Sequence, residues 1–283
     1  MMEKIKMIVA MLIVGSIGIL VINIPLPSSV IACSRAVIGS TFIMMVLLIR
    51  KTKINWNVVK RNWIYLLISG GALGLNWIFL FEAYKFTSVA IATLCYYMAP
   101  VFVILLSPII LKEKLTMFKL GCTITAIIGA VLISGVFGSG GQDIRGIVFG
   151  LVAALLYSGI IIVNKFINGL SGVETTFCQL AISAIIMTPY VIFTEDISFT
   201  NVLATTIMSL IIVGIVHTGI VYILFFSAIN KLPTQTSAIL SYIDPVTAIL
   251  LSALFLKQTI GTVQIIGTVL ILGSAMLNNI KTK

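Results

Sequence analysis

Charge is what this sequence lacks. Only 9% of its 283 residues are charged, with eight Asp and Glu, eighteen Lys and Arg and a single histidine. A soluble domain carries about a quarter charged residues, and a chain this poor in charge cannot clothe a water-facing surface. One histidine and thinly scattered carboxylates offer no nucleophile–base pair, carboxylate cluster or metal-ligand set, which argues against an enzyme acting on lipid within the membrane. No Walker sequence is present, so ATP does not drive a cycle. No basic stripe is interleaved with aromatics, so nucleic acid is not an expected partner. The four cysteines, Cys33, Cys95, Cys122 and Cys178, all lie inside apolar runs without metal-ligand spacing. They read as small packing residues rather than a disulfide or metal framework. Neither metal nor cofactor is expected.

What is present is apolar: 60% of the residues are hydrophobic and the mean hydropathy is +1.20. A bilayer core of about 30 Å takes about 20 apolar residues per helix. Cutting at polar, Pro and Gly breaks gives ten segments: Met7–Ile24, Ser28–Ile49, Trp63–Tyr84, Val89–Leu111, Met117–Phe137, Ile144–Asn164, Val173–Phe193, Ile207–Ala228, Thr234–Leu256 and Ile260–Leu277. No small-residue cleavage site follows the first, so it reads as a span rather than a signal peptide. The loops are too short for a soluble domain. With the N-terminus inside, fourteen Lys and Arg fall on the inner side and three, Lys85, Arg145 and Lys257, on the outer, with Arg35 inside a span. Positive residues stay cytoplasmic, so both termini are expected in the cytoplasm of a prokaryotic cell, with the chain multi-pass in the inner membrane.

The chain repeats itself. Aligning Tyr97–Lys112 with Tyr242–Lys257 makes nine of sixteen positions identical, including Tyr, Pro, Ser and Lys. The same offset sets Cys33 on Cys178, Phe81 on Phe226 and Ala83 on Ala228. The expected fold is therefore an all-α membrane protein of ten transmembrane helices in two five-helix repeats, residues 1–138 and 142–283. Five is odd, so the second repeat is inserted upside down relative to the first. Inverted repeats mark secondary transporters that alternate access around a midplane site. Pro100 and Pro245 sit mid-span in the two copies, where each leaves the carbonyl four residues earlier without its amide partner and bends the helix. Each reads as a packing kink, a hinge, or both.

At these residues the sequence resembles the drug/metabolite transporter superfamily, in its ten-helix branch with two EamA-type domains. Ala83–Thr116 and Phe225–Ile260 are similar to the ends of the two repeats, and "CSRAVIG", Cys33–Gly39, to the arginine-bearing start of the family's second helix. The chain departs from the pattern with Asp244 where the second repeat usually has Glu, and with "LKQT" where it has a Leu-Gly-Glu turn. The resemblance implies a proton-coupled or gradient-driven exporter of amino acids, amines, drugs or other small metabolites. The alternatives are an uncoupled, channel-like carrier and an importer of organic cations.

Ionisable groups inside a span cost roughly 2.5–3.5 kcal/mol on insertion scales and need a reason. Asp244 lies about eleven residues past the Pro233 turn and His217 about thirteen before Asn230. At about 1.5 Å per residue both sit near the midplane. If their faces meet they form a pair able to exchange protons; otherwise Asp244 caps the kink at Pro245 and His217 is a satisfied core residue. Arg35 and Glu82 lie at close enough depths for a salt bridge, as a gate or a substrate contact, or else Arg35 snorkels and Glu82 is interfacial. Tyr96, Tyr97 and Tyr242 flank the kinks, and Trp77 and Tyr222 occupy matching places in spans three and eight. They either line a cavity suited to stacking and cation–π contact or pack between helices. Asn76, Asn164 and Gln179 either contact substrate or bond across helices. Gly70, Gly74, Gly146 and Gly150 let helices approach within a monomer or at a homodimer face. The expected partners are membrane lipid and a small-molecule substrate.

Overall fold

The structure is a computed structural model that describes residues 2–52, 54–112, 116–133, 143–195, 203–229, 231–232, 234–258 and 261–281. Among the described residues every regular element is helical. In chain order these are α1 (Met2–Gly15), α2 (Ile17–Ile22), α3 (Ser28–Ile49), α4 (Trp56–Arg61), α5 (Trp63–Phe86), α6 (Val89–Tyr96), α7 (Ala99–Ile110), α8 (Met117–Ile133), α9 (Ile144–Asn164) and α10 (Gly172–Thr194). After α11 (Ala204–Gly214), a π-helical turn over Ile215–Ile220 leads into α12 (Val221–Ile229). The chain ends with α13 (Thr234–Ser241), α14 (Ile243–Leu256) and α15 (Thr262–Lys281).

Among the described residues, seven segments are long and apolar enough to cross a membrane: Met2–Ile22, Ser28–Ile49, Trp63–Phe86, Val89–Ile110, Ile144–Asn164, Gly172–Thr194 and Ala204–Ala228. Three shorter apolar helices, Met117–Leu132, Ile243–Leu256 and Thr262–Ser274, coincide with other expected segments. Several expected features fall on undescribed residues: the end of the fifth segment at Phe137, the turn at Asn230 and Pro233, and the start of the tenth segment at Ile260.

Three of the expected spans are interrupted, one of them without a proline to cause it. The first breaks at Ser16, whose hydroxyl donates back to the Ile13 carbonyl at 2.8 Å. The segments carrying Pro100 and Pro245 each split into two helices, at Tyr97–Met98 and at Tyr242. Each proline then sits in the first turn of the second half-helix, where the second half-helix's own hydrogen-bond ladder does not need its N–H. Helix α4, in a stretch expected to be loop, starts at Asn55, whose side chain accepts from the N–H groups of Asn57 and Val58.

The core forms where α3, α5, α9 and α10 meet, around Phe81, Leu66, Leu180 and Ile31. Polar side chains clip these helices together. Gln179 Nε2 donates to Ser69 Oγ at 2.8 Å and to Asn164 Oδ1 at 2.6 Å, so these two amides bond across helices. Outward-facing apolar side chains such as Ile109, Ile185 and Phe193 are 70–86% exposed, as a lipid-facing surface requires. Trp56 and Trp63 are more than half exposed, consistent with interfacial placement.

Candidate functional site

The two helix breaks face each other across the bundle. Pro245 has no N–H, so the Ser241 carbonyl four residues earlier loses its helical donor. The phenol of Tyr97, at the other break, fills this gap. Its Oη lies 2.7 Å from Asp244 Oδ2 and 3.3 Å from the Ser241 carbonyl. One proton serves both acceptors, and the nearer carboxylate takes the stronger bond. The rings of Tyr97 and Tyr242 lie 6.4 Å apart, tilted by 43°. Helix α1 presses against this junction at Gly15, where a Cβ would come within 2.5 Å of the Asp244 carbonyl oxygen. Only glycine permits that approach.

Opposite the breaks, the π-helical turn carries His217 and Thr218. One extra residue in the turn shifts hydrogen bonds to the i−5 partner, and such bulges recur at functional sites. Thr218 Oγ1 donates to the Val213 carbonyl at 3.0 Å, and His217 Nδ1 lies 3.4 Å from the Ile212 carbonyl. His217 Nε2 is 3.0 Å from Ser16 Oγ, at the break in the first span. Arg35 on α3 points at the same turn. Its Nε donates to Thr218 Oγ1 at 2.8 Å and its Nη2 to the His217 carbonyl at 3.2 Å. The guanidinium carbon lies over the Trp77 ring, 3.9 Å from its centroid, with the Phe81 centroid at 5.9 Å. Helix α3 reaches the turn because Gly39 and Gly214 leave no side chain between them; a Cβ on Gly39 would meet Thr218 Cγ2 at 2.6 Å.

Between the breaks and the π turn lies a cavity of about 300 Å³, at the small end of small-molecule sites. Of the residues singled out above, Asp244, His217, Arg35, Tyr96, Tyr97, Tyr242, Trp77, Tyr222 and Pro100 line it. Asn76 does not; it is fully buried behind the wall, donating to the Ala153 carbonyl at 2.6 Å and accepting from Tyr96 Oη at 3.5 Å. Pro245 is buried beneath Asp244 and is also outside the lining.

Two expected pairings are corrected. Asp244 and His217 face one cavity but bond elsewhere, to Tyr97 and to Ser16. Equal depth does not fix the direction a side chain takes around its helix, and His217 sits in a π turn that departs from regular α geometry. Arg35 and Glu82 do not form a salt bridge. Glu82 accepts from Ser28 Oγ at 2.5 Å and pairs with Lys85 at 3.0 Å, one turn along its own helix. Near it, Ser29 at the start of α3 donates to Glu195.

Four lining residues with polar side chains escaped the sequence reading: Tyr84, Thr93, Tyr157 and Ser241. Tyr157 stacks on Tyr96 with centroids 5.2 Å apart. A tyrosine in mid-span, far from either interface belt, was the available signal. Among the described residues no three His, Cys, Asp or Glu side chains gather where they could hold a metal ion.

A membrane-embedded helical bundle with a central polar-and-aromatic cavity defines the class: a carrier of small molecules, seated in lipid. The comparisons agree. The profile of the EamA-like transporter family matches residues 2–135 and 144–280, and the chain belongs to that family. It is 35% identical over 273 residues to an uncharacterized transporter of Bacillus subtilis (strain 168), YxxF, covering 92% of this chain and 86% of that one. It is 27% identical to an uncharacterized transporter of Archaeoglobus fulgidus, over 65% of this chain and 64% of that one. A solved crystal structure of a protein at 20% identity superposes with a TM-score of 0.66 over 98% of this chain and 96% of that one, a likeness of fold.

Proposed function

We propose that this chain is a secondary active transporter that exports a small metabolite, of the amino acid or amine kind, from a prokaryotic cell in exchange for protons. The observation that carries the reading is the cavity itself, which the two broken helices, the π turn and Arg35 line together with one carboxylate, Asp244. In this reading ten helices cross the inner membrane as two inverted repeats, 1–138 and 142–283, with both termini in the cytoplasm. Three of the ten are the shorter apolar helices, and α13 completes the segment to which α14 belongs. The repeats rock against each other about the breaks at Pro100 and Pro245, opening the cavity to one side at a time.

Asp244 is the proton-carrying group. It is half-buried, faces the cavity, and keeps one phenolic donor that can stabilise the carboxylate or rearrange when the acid is protonated. His217 sits across the cavity, with the Ser16 hydroxyl 3.0 Å from Nε2 and the Ile212 carbonyl 3.4 Å from Nδ1, so that both ring nitrogens have a neighbour able to accept from an imidazolium. Arg35 is part of the substrate-facing wall, and Glu82 with Lys85 and Ser28 belongs to a gate near the ends of α3 and α5.

The test is proton movement in proteoliposomes loaded with a pH-sensitive dye and challenged with a panel of amino acids and amines. Substrate-dependent proton flux is expected, abolished by Asp244→Asn and reduced by His217→Ala. Flux of substrate without proton movement would instead make the chain an uncoupled facilitator. If both variants leave proton-coupled flux unchanged, the coupling assignment fails.

A further inference from the structure

Arg35 is a buried cation, only 7% exposed, and lines the cavity. A charge so placed is expensive unless an opposite charge compensates it. Its partners are a hydroxyl, a backbone carbonyl and two aromatic faces, all neutral. The ion pairs among the described residues join Lys6 and Lys231 to Glu3, Lys85 to Glu82, and Arg145 to Asp143, and none includes Arg35. A guanidinium carries five N–H donors in a planar fork, and the bonds above engage Nε and Nη2. Trp77 beneath it, with Thr218 and the His217 carbonyl at its edge, fixes the plane of that fork.

We propose that Arg35 anchors the carboxylate of the transported molecule, and that the substrate is a small monocarboxylate with an apolar body. This rests on the transport reading and adds the substrate's charge to it. A planar fork held in place matches a carboxylate with two parallel bonds. A phosphate or a dicarboxylate brings a second negative charge, yet no lysine and no second arginine lines the cavity, and Asp244 opposes it there. An amine without an acid group meets Asp244 in the same cavity but leaves the guanidinium of Arg35 without an opposite charge. The remaining wall is mostly aromatic and aliphatic, with Trp77, Leu73, Leu80 and Val221 among its members beside the hydroxyls of Thr93 and Ser241, and suits a largely apolar body.

The experiment measures thermal stabilisation of the full-length protein by matched probes that differ only in the acid group. These are 3-phenylpropionate against 3-phenylpropionamide, benzoate against benzamide, and L-leucine against L-leucinamide, with phenethylamine as an acid-free amine. At least one carboxylate is expected to protect the protein at concentrations about tenfold or more below its amide. Arg35→Lys is expected to weaken that preference and Arg35→Gln to erase it. The inference is overturned if no carboxylate protects, if an amide or phenethylamine protects as well as its acid, or if Arg35→Gln keeps the preference. The wild-type comparison stands even where a variant fails to fold. Protection by carboxylates with no flux of any kind would remove the transport reading and leave Arg35's role intact; proton-linked flux of phenethylamine with no acid preference would do the reverse.

Discussion

Tyr97→Phe removes a single oxygen from the junction between the two broken helices. The ring stays, and with it the aromatic contact to Tyr242 at 6.4 Å. What goes is the donor to Asp244 Oδ2 at 2.7 Å and to the Ser241 carbonyl at 3.3 Å, a carbonyl that Pro245 has already deprived of its helical partner. A hydrogen bond to a charged group contributes about 1.5–3 kcal/mol, and each ~1.4 kcal/mol is a factor of ten. The joined arrangement of the breaks should therefore lose about ten- to hundredfold in population relative to any arrangement that separates them. The assay is a double-mutant cycle with Tyr97→Phe and Asp244→Ala, read by the unfolding midpoint of the purified protein and by counterflow. A coupling energy of about 1 kcal/mol or more is expected. Single effects that add to within about 0.5 kcal/mol would show that the phenol and the carboxylate do not support each other, and the account of the junction would be refuted.

Gly15→Ala should destabilise the protein by about 1–3 kcal/mol through overpacking, because the new Cβ meets the Asp244 carbonyl and Thr247. Gly159→Ala is the control: a Cβ there meets nothing within 4 Å, and replacing a mid-helix glycine should stabilise by about 0.5–1 kcal/mol. Both are measured by thermal unfolding, and equal effects at the two sites would contradict the packing described. Asn76→Ala should cost about 1–3 kcal/mol and loosen Tyr96, detectable as a larger fluorescence change on tyrosine quenching; an unchanged unfolding midpoint would argue against the bond to Ala153. At the start of α9, the side chain of Arg145 hydrogen-bonds Asp143 and holds its carboxyl below the ordinary carboxylate range. A depressed value means that this cap supports the folded helix above the unfolded-state value of about 3.9 and is lost as the pH falls through the folded one. Hydrogen exchange at the first turn of α9 should accordingly quicken in acid and not at neutral pH, and exchange independent of pH in that turn, after correction for intrinsic rates, would contradict it.

Much of the helix pattern could be read from residues alone because apolar run length and proline chemistry are local properties. Pro100 and Pro245 announced the breaks, since a residue without an N–H cannot continue the hydrogen-bond ladder. Membership of the cavity was also largely legible, because a polar or aromatic group in mid-span must face something other than lipid. Partnership was not. Asp244 and His217 share a depth, but at about 100° per residue a single extra residue in the π turn redirects a side chain. Nothing in "IVHTGI" marks that extra residue in advance. Arg35 and Glu82 likewise share a depth, yet Lys85 lies one turn from Glu82 and reaches it first. The flat face of Trp77 that receives Arg35 depends on how α3 and α5 cross, which no local pattern encodes.

The two copies of the broken helix use their likeness unequally. Tyr97 and Tyr242 match by offset, and so do Trp77 and Tyr222, so each copy supplies a break and an aromatic wall. The charges occur once. Asp244 matches Ala99, Arg35 matches Leu180, and His217 matches Ala72. Had duplication kept both acids, two carboxylates would face a cavity of about 300 Å³, and like charges so close cannot both ionise. With a single acid, Tyr97 reaches across to the other copy's carboxylate, while the position that a converse bond from Tyr242 would need holds only the methyl of Ala99. The junction is thus tied by one phenol–carboxylate bond rather than two. A single tie can be released by protonating or displacing one group, and under the alternating-access cycle proposed above, in which the two halves part, that release would be needed once in each cycle.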